Sequence, residues 1–321
     1  MRVLVAGGAG FVGSHLCERL LADGHRVLCV DDLSTGRYAN IAHLVERLGF
    51  EFRRHDVTEP FDATVDAVAN LASPASPPAY LERPVETLLV NSVGTRHLLE
   101  IARRKAASFL LASTSEIYGE PLEHPQRESY WGNVNPNGMR SCYDEGKRFA
   151  EAMTAAYLHT HGVDARVVRI FNTYGPRSDP RDGRLVPNFI TKALCNEPIT
   201  VYGDGQQTRS LCYVSDLVDG LARVLTLPQA RGGTFNLGSP REHTVLEYAT
   251  MIRGLCGSTA PVVYQPLPTA DDPTRRRPDI TRVREILGWQ PHVDLALGLQ
   301  QTIDWFRGEI QAPTDVLMAA V

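Results

Sequence analysis

Seven residues near the N-terminus restrict the fold more than any other stretch. Residues 7–13 read GGAGFVG, with Gly7, Gly10 and Gly13 in G-x-x-G-x-x-G spacing. The run before it, RVLVAG (2–7), is apolar and rich in valine. The run after it, FVGSHLCERLLADG (11–24), carries apolar residues at helical spacing and stops at Gly24. A strand that enters a helix through three glycines makes a tight turn, lets backbone approach a ligand, and aims free N–H groups at an anion. The second strand, RVLCVDD (26–32), puts Asp31 at its end. An acid there accepts from ribose hydroxyls and repels a 2′-phosphate, so the pattern predicts a dinucleotide site for NAD rather than NADP.

The strand-like and helix-like runs then keep alternating. FEFRRHD (50–56), DAVANLAS (66–73), SFLLAST (108–114) and ARVVRIFN (165–172) read as strands, with helical stretches near 84–104 and 141–161. This alternation predicts an α/β fold, a doubly wound parallel sheet of Rossmann type. Beyond residue 173 the pattern loosens into NTYGPRSDPRDGR and YQPLPTADDPTRRRPD, rich in proline, glycine and charge. The expected division is a dinucleotide domain of 1–175 with a return segment at 209–237, and a smaller C-terminal lobe of 176–208 and 238–321. Ligands of such folds lie beyond the carboxyl ends of the strands, where STSEIYG and NTYG fall.

Composition narrows the partners. The 321 residues are 43% hydrophobic, enough for a large core. A net charge of −4 and no long basic run argue against nucleic acid. No stretch of 18 apolar residues occurs, and the N-terminus has no charged leader followed by an apolar run, so no membrane partner is expected. The six cysteines, Cys17, Cys29, Cys142, Cys195, Cys212 and Cys256, make neither a C-x-x-C pair nor a metal spacing. They read as reduced thiols of a cytoplasmic protein without a metal. The tail APTDVLMAAV (312–321) is expected to fray or to pack on a neighbour.

Within SCYDEGKRF (141–149), Tyr143 and Lys147 stand at i and i+4, so phenol and ammonium share a helix face. Asp144 and Glu145 between them are expected to face elsewhere. Asp56 and Val57, after the third strand, are placed to edge an adenine; Asp56 as a helix cap is the other reading. Thr114 ends its strand, where it either satisfies backbone or holds a substrate oxygen.

These motifs together resemble the extended short-chain dehydrogenase/reductase family of nucleotide-sugar enzymes. LASPASPP (71–78), LLASTSEIYGEP (110–121), CYDEGKR (142–148), RIFNTYGPR (169–177), VYGDGQQTRS (201–210), YVSDL (213–217) and DDPTRRRPDI (271–280) are similar, within that family, to the UDP-glucuronate decarboxylases. The similarity runs from about residue 1 to 308. It implies bound NAD and a UDP-sugar substrate that is oxidised at C4, decarboxylated and reduced again; the other readings are 4-epimerisation or work on another nucleotide uronic acid through the same 4-keto intermediate, and a non-catalytic NAD-binding scaffold, which the retained Tyr143 and Lys147 argue against. Tyr143 would be the general base, helped by Lys147, which would lower the phenol's pKa, and by Thr114. Glu116, with Ser115 beside it, would face the C5–C6 region and either repel the substrate carboxylate or relay a proton. Arg209 would bind phosphate or place a proton near C5.

The resemblance also implies cofactor contacts from Phe11, Val12, Asp32, Thr35, Leu71, Ser73, Asn91 and Thr173, beside the glycines, Asp31, Asp56, Val57, Tyr143 and Lys147. It implies UDP contacts from Asn172, Arg184, Asn188, Tyr202, Arg209 and one or more of Arg275, Arg276 and Arg277. Family members usually dimerise through a four-helix bundle, for which 84–104 and 141–161 are the candidates, with Leu98, Leu99, Phe149 and Met153 either there or in the core. Three positions depart from the family pattern. Asn70 replaces a histidine, Leu89 stands where a substrate-holding lysine is expected, and His97 replaces an amide.

Overall fold

The computed structural model of the protein describes residues 1–267 and 273–311, the side chain of Gln311 excepted, so the 312–321 tail lies outside the described residues. Chain order begins β1 (Arg2–Ala6), α1 (Phe11–Ala22), β2 (Arg26–Asp31), β3 (Phe50–Arg54), β4 (Ala67–Asn70), α2 (Pro77–Glu82), α3 (Pro84–Leu89). It continues with α4 (Thr95–Lys105), β5 (Ser108–Thr114), α5 (Ser141–His161), β6 (Ala165–Ile170), β7 (Thr173–Tyr174), α6 (Leu185–Leu194), β8 (Ile199–Tyr202). Then come β9 (Thr208–Arg209), β10 (Cys212–Tyr213), α7 (Val214–Thr226), β11 (Thr234–Leu237), β12 (His243–Thr244) and α8 (Val245–Cys256). The described chain ends with β13 (Val262–Gln265), β14 (Arg275–Arg276), α9 (Thr281–Leu287) and α10 (Leu295–Gln311).

Seven strands form the parallel central sheet, in the order β11-β6-β5-β4-β1-β2-β3. The chain leaves β1 in one direction through β2 and β3, then returns to β1's other side at β4. The crevice of this sheet therefore opens between the ends of β1 and β4. Strand alternation sends β1 side chains to opposite faces. Val3 and Val5 join a core with Leu16, Leu20, Leu217 and Leu221 of α1 and α7. Leu4 and Ala6 join the opposite core, with Leu98, Leu99 and Ile101 of α4 and Ala150 of α5. Both faces are thus covered, which is why the sheet strands read as nearly unbroken apolar runs.

A separate core holds the second lobe. Phe189 and Ile190 of α6, Ile199 and Val201 of β8, Tyr248 and Ile252 of α8, and Leu299, Ile303 and Phe306 of α10 meet there. One segment falls differently from the expected division. Ile280, Val283, Leu287 and Trp289 pack into the main core, and the Trp289 indole donates to Asp216 O at 2.9 Å. Val283 and Leu287, at i and i+4 on α9, form a stripe that only an apolar face such as β11's side can cover.

The helical stretch at 84–104 is interrupted rather than uniform. Val90–Gly94 between α3 and α4 winds as a π-helix. The Asn91 amide donates to Thr87 O at 2.8 Å and to Ser73 Oγ at 3.0 Å, so a side chain takes a carbonyl the helix ladder would use. Leu98 and Leu99 are fully buried core residues, whereas Phe149 is 50% exposed.

Candidate active site

The glycine turn is built around backbone, leaving no room for side chains. A Cβ on Gly13 would lie 2.0 Å from Gly7 O, and one on Gly7, at φ +76°, would lie 2.7 Å from the Leu71 carbonyl carbon. Since Leu71 follows β4, this close approach sits at the sheet's switch point. Gly10 caps α1 without any side-chain bond, so the first-turn N–H groups near Phe11 and Val12 have no side-chain acceptor at the cap. Asp31 is buried at the end of β2 and accepts from Ala9 N and Leu33 N, each at 2.9 Å. Burial raises its pKa, against these backbone donors. A carboxylate can accept about four bonds, so two ribose hydroxyls remain within its capacity. The cradle and its acid fit a dinucleotide.

The other predicted cofactor residues are less uniform. Asp32 and Thr35 are exposed, and Asp32 Oδ1 accepts from Ser34 N at 2.9 Å and Ser34 Oγ at 2.7 Å. Asp56 Oδ1 accepts from Thr58 N and Oγ1, both at 2.8 Å, in a turn that no helix follows. The helix-cap reading of Asp56 therefore does not hold. Val57 is buried, and its carbonyl takes a bond from the departing His97 at 3.1 Å. Asn70 is likewise held internally, by Thr95 Oγ1 and Ala72 N, each at 3.2 Å. Leu89 stays 44% exposed at the end of α3. Thr173 Oγ1 turns back to Phe171 O at 2.9 Å.

Helix α5 brings Tyr143 and Lys147 onto the end of β5, both buried. Tyr143 lies close enough to the Thr114 hydroxyl for it to favour the phenolate, and Thr114 Oγ1 accepts from Glu116 N at 3.2 Å. The Lys147 ammonium lies 5.8 Å from the Tyr143 ring centre and donates to Ala112 O at 3.0 Å. Tyr80 of α2 stacks on Tyr143 with centroids 5.0 Å apart and planes 8° from parallel. Burial pushes Tyr143 up to about 12, the nearby Thr114 hydroxyl opposing it, and burial lowers Lys147 to about 8. Burial disfavours the charged form of each group more than their neighbours, Arg184 for Tyr143 and Glu151 for Lys147, favour it.

Glu116 sits two residues past Thr114 in a cluster the sequence only half disclosed. Arg276 of β14 and Arg140 both bond its carboxylate, and Arg276 also reaches Ser115 Oγ at 3.3 Å. Burial pulls Glu116 up, but Arg276 and then Arg140 outweigh it and hold the carboxyl below its usual range. Among the three consecutive arginines, Arg276 alone turns to this cluster. Arg275 is exposed, and Arg277 lines a separate hollow with Arg241 and Arg284. Arg209 is near enough to act on the charge of Glu116, and its Nη1 donates to Thr208 O at 2.9 Å. Arg140 and Tyr80 were not singled out beforehand. A basic residue three positions ahead of Tyr143, at the mouth of the same helix, was the available signal for Arg140.

Asp144 does not face away as expected. It is 8% exposed, and burial followed by repulsion from Glu116 raises its pKa to about 7. A folded pKa above the unfolded one means that the native state holds the proton more tightly. Stability is then lost as pH rises from about 4 toward 7. Asp144→Asn is expected to remove that dependence and to be about 2 kcal/mol more stable than the parent at pH 8. Urea melts at three pH values check this, and a variant less stable than the parent at pH 8 would refute it.

Of the remaining substrate candidates, Arg184, Asn188 and Tyr202 lie in the second lobe, and Asn172 follows β6 of the central sheet. Arg184 caps α6 and grips Asp182, with Nη2 to Oδ2 at 2.7 Å, and it is close enough to Tyr143 for their charges to interact. Asn188, one turn on, has a buried Oδ1 without a partner among the described residues. Asn172 O accepts from Cys212 N at 2.9 Å, and Tyr202 is 41% exposed. Among the described residues no group of three or more acids, histidines or cysteines is arranged to hold a metal.

The sequence model of the NAD dependent epimerase/dehydratase family matches residues 3–238. The chain belongs to this family. UDP-glucuronic acid decarboxylase 1 of Danio rerio is 51% identical over 310 residues, 97% of this chain and 73% of that protein. UDP-glucuronic acid decarboxylase 4 of Arabidopsis thaliana is 52% identical over 97% of this chain and 69% of its own length. Among solved structures, UDP-glucuronic acid 4-epimerase from Bacillus cereus, in complex with UDP-glucuronic acid and NAD, superposes with a TM-score of 0.88. It is 27% identical and covers 96% of this chain and all of its own. UDP-glucose 4-epimerase from Thermotoga maritima, with UDP-glucose, also gives 0.88 at 28% identity, over 97% of this chain and 100% of its own. The NAD dependent epimerase/dehydratase family thus accounts for the Rossmann sheet and for the fit of NAD to the glycine cradle. Among the described residues no helix is long and apolar enough to cross a membrane.

Proposed function

We propose that this protein removes CO₂ from UDP-glucuronate to give UDP-xylose through a 4-keto sugar. The observation that carries the reading is the Glu116 cluster, a half-buried carboxylate between Arg276 and Arg140 that adjoins Thr114 and Tyr143. A uronic acid brings a carboxylate that must be oriented, desolvated and lost, and such a cluster is suited to that work. The relatives at about 50% identity that are named UDP-glucuronic acid decarboxylase support the same reading.

The glycine cradle and Asp31 would hold NAD, which would supply the hydride acceptor for C4 and give the hydride back. Tyr143 takes the C4 hydroxyl proton, and Thr114 steadies the oxygen. The Lys147 ammonium favours the phenolate. A ketone at C4 leaves the C6 carboxylate β to a carbonyl, so the C5–C6 electrons pass into the C4 oxygen as CO₂ departs, and the enolate takes a proton at C5 from solvent or a nearby acid before C4 is reduced. Arg276 and Arg140 orient the leaving carboxylate. Glu116, held ionised, has no proton to relay at rest, which favours its electrostatic role over the relay. Arg184, Asn188, Tyr202, Arg209 and Arg275 are assigned to the UDP moiety. The direct test incubates protein, NAD and UDP-glucuronate and reads product mass. Loss of one CO₂ supports decarboxylation, an isomer of unchanged mass would replace it with 4-epimerisation, and no turnover would end both.

A homodimer in the cytoplasm completes the proposal. Val85, Leu88 and Leu89 of α3 and Phe149 of α5 are 42–61% exposed. Leu88, Gly146, Phe149 and Ala152 line a hollow of about 540 Å³. An apolar set of this kind suits a second copy of the same two helical segments. All six cysteines are free, which suits a reducing compartment. Phe149→Glu is expected to halve the sedimenting mass at micromolar concentration. A wild-type protein that is already monomeric would refute the dimer.

A further inference from the structure

Tyr143, Lys147 and Glu151 stand at i, i+4 and i+8 on α5, so they form one stripe along the helix. Each meets a different one of the last three residues of β5. Tyr143 lies near the Thr114 hydroxyl, close enough for it to act on the phenol's pKa, Lys147 Nζ donates to Ala112 O at 3.0 Å, and Ser113 Oγ donates to Glu151 Oε1. Arg169 of β6 lies directly across from Ser113 in the sheet register. It grips the same carboxylate twice, Nε to Oε1 at 3.1 Å and Nη2 to Oε2 at 2.8 Å. Its remaining nitrogen donates to Tyr118 Oη at 3.0 Å and Glu128 O at 2.9 Å. The Glu151 and Arg169 side chains are only 15% and 12% exposed.

We propose that Glu151, clamped by Ser113 and Arg169, is a positioning residue for the reaction: it fixes where α5 lies on β5 and keeps a negative charge one helical turn behind Lys147. The inference rests on the reading of Tyr143 and Lys147 as base and helper. A buried ion pair is a weak source of net stability and is better suited to fixing one arrangement of packed elements. Here the arrangement it fixes is the seat of the catalytic pair. The charge has a second effect. Glu151 is the carboxylate that opposes the effect of burial on Lys147 and favours its ammonium form.

The other charged groups near the stripe are otherwise engaged. On β6 and the turn after β5, Arg169 and Tyr118 face Glu151. Toward Tyr143 lie Glu116, Arg140, Arg276, Asp144, Arg184 and the Tyr80 phenol of α2. On α4, Glu100 is taken by Arg103 and by Tyr157. On α3, Glu86 is exposed, and on α5 itself Glu145 pairs with Arg148.

The test follows the Lys147 side chain by NMR through a pH titration of the whole protein, its signal assigned by loss in Lys147→Met. Glu151→Gln keeps an acceptor for Ser113 but removes the charge, and the Lys147 midpoint is expected to fall. Arg169→Gln leaves the carboxylate unshared, so the midpoint is expected to rise. Ser113→Ala, a mild change that preserves folding, is expected to lower kcat severalfold by loosening α5 while leaving the midpoint close to wild type. In Glu151→Gln the alkaline limb of kcat moves to lower pH together with the NMR midpoint. An unchanged midpoint with kcat reduced equally at every pH would reduce Glu151 to a structural role and overturn the proposal. The NMR readout needs no turnover, so it stays decisive even if the product assay rejects decarboxylation.

Discussion

Tyr143→Phe is expected to lower kcat about 1,000-fold while NAD binding and stability stay close to the parent. The change removes one oxygen and little else. The ring still stacks on Tyr80, and the Thr114 hydroxyl keeps its bond from Glu116 N. Fold stability should therefore shift by no more than about 1 kcal/mol. Turnover has no substitute for the oxygen. Thr114 is a neutral hydroxyl, and the Lys147 ammonium is spent on Ala112 O and lies beyond the phenol ring centre at 5.8 Å. Stopped-flow or steady-state assays give kcat, and quenching of protein fluorescence gives the NAD affinity. Activity within tenfold of wild type would remove Tyr143 from the base role. A variant that fails to bind NAD would instead mean that the ring's packing, rather than its hydroxyl, was being measured.

What could be read ahead of the structure follows the range of the forces involved. The glycine turn, the strand–helix alternation and the Tyr143–Lys147 face depend on residues a few positions apart, and sequence spacing encodes them directly. Asp31 at the end of β2 was legible for the same reason. The Glu116 cluster was not, because its members come from positions 116, 140 and 276 and meet only after β14 is laid beside β9. Consecutive residues of an extended strand point to opposite sides, so one register assigns Arg276 inward and Arg275 and Arg277 elsewhere. No local feature of RRR chooses that register. Asp144 illustrates a different gap. Its place beside Tyr143 on the helix suggested a side chain that faces elsewhere. Its titration is set by burial and by the charge of Glu116, which comes from the turn after β5, opposed by Arg140 and Arg276. Glu151 escaped notice because a glutamate at i+4 from a lysine reads as an ordinary helix pair. Its meaning depends on Ser113 and Arg169, two residues on neighbouring strands.

Arg276→Met should abolish measurable decarboxylation and cost about 3–5 kcal/mol of stability at pH 8, as expected when one member of a buried ion pair is removed. Arg276 is 3% exposed, and burial of Glu116 is tolerated because this guanidinium and that of Arg140 oppose it. In the parent, Glu116 has a folded pKa below its unfolded value, so its contribution is present above that unfolded value and lost as pH falls through the folded one. With Arg276 gone, burial acts on Glu116 with less opposition and its pKa rises. The variant's deficit should then be largest at high pH and shrink on acidification. Adding Glu116→Gln to Arg276→Met should restore much of the lost stability, because the uncompensated charge is gone, while activity stays absent. Urea melts of the two single variants and the double variant, at two pH values, close this cycle. If the double variant is no more stable than Arg276→Met alone, the penalty comes from lost packing of the arginine and not from the stranded carboxylate. The assignment of Arg276 as the group that keeps Glu116 ionised would then be withdrawn.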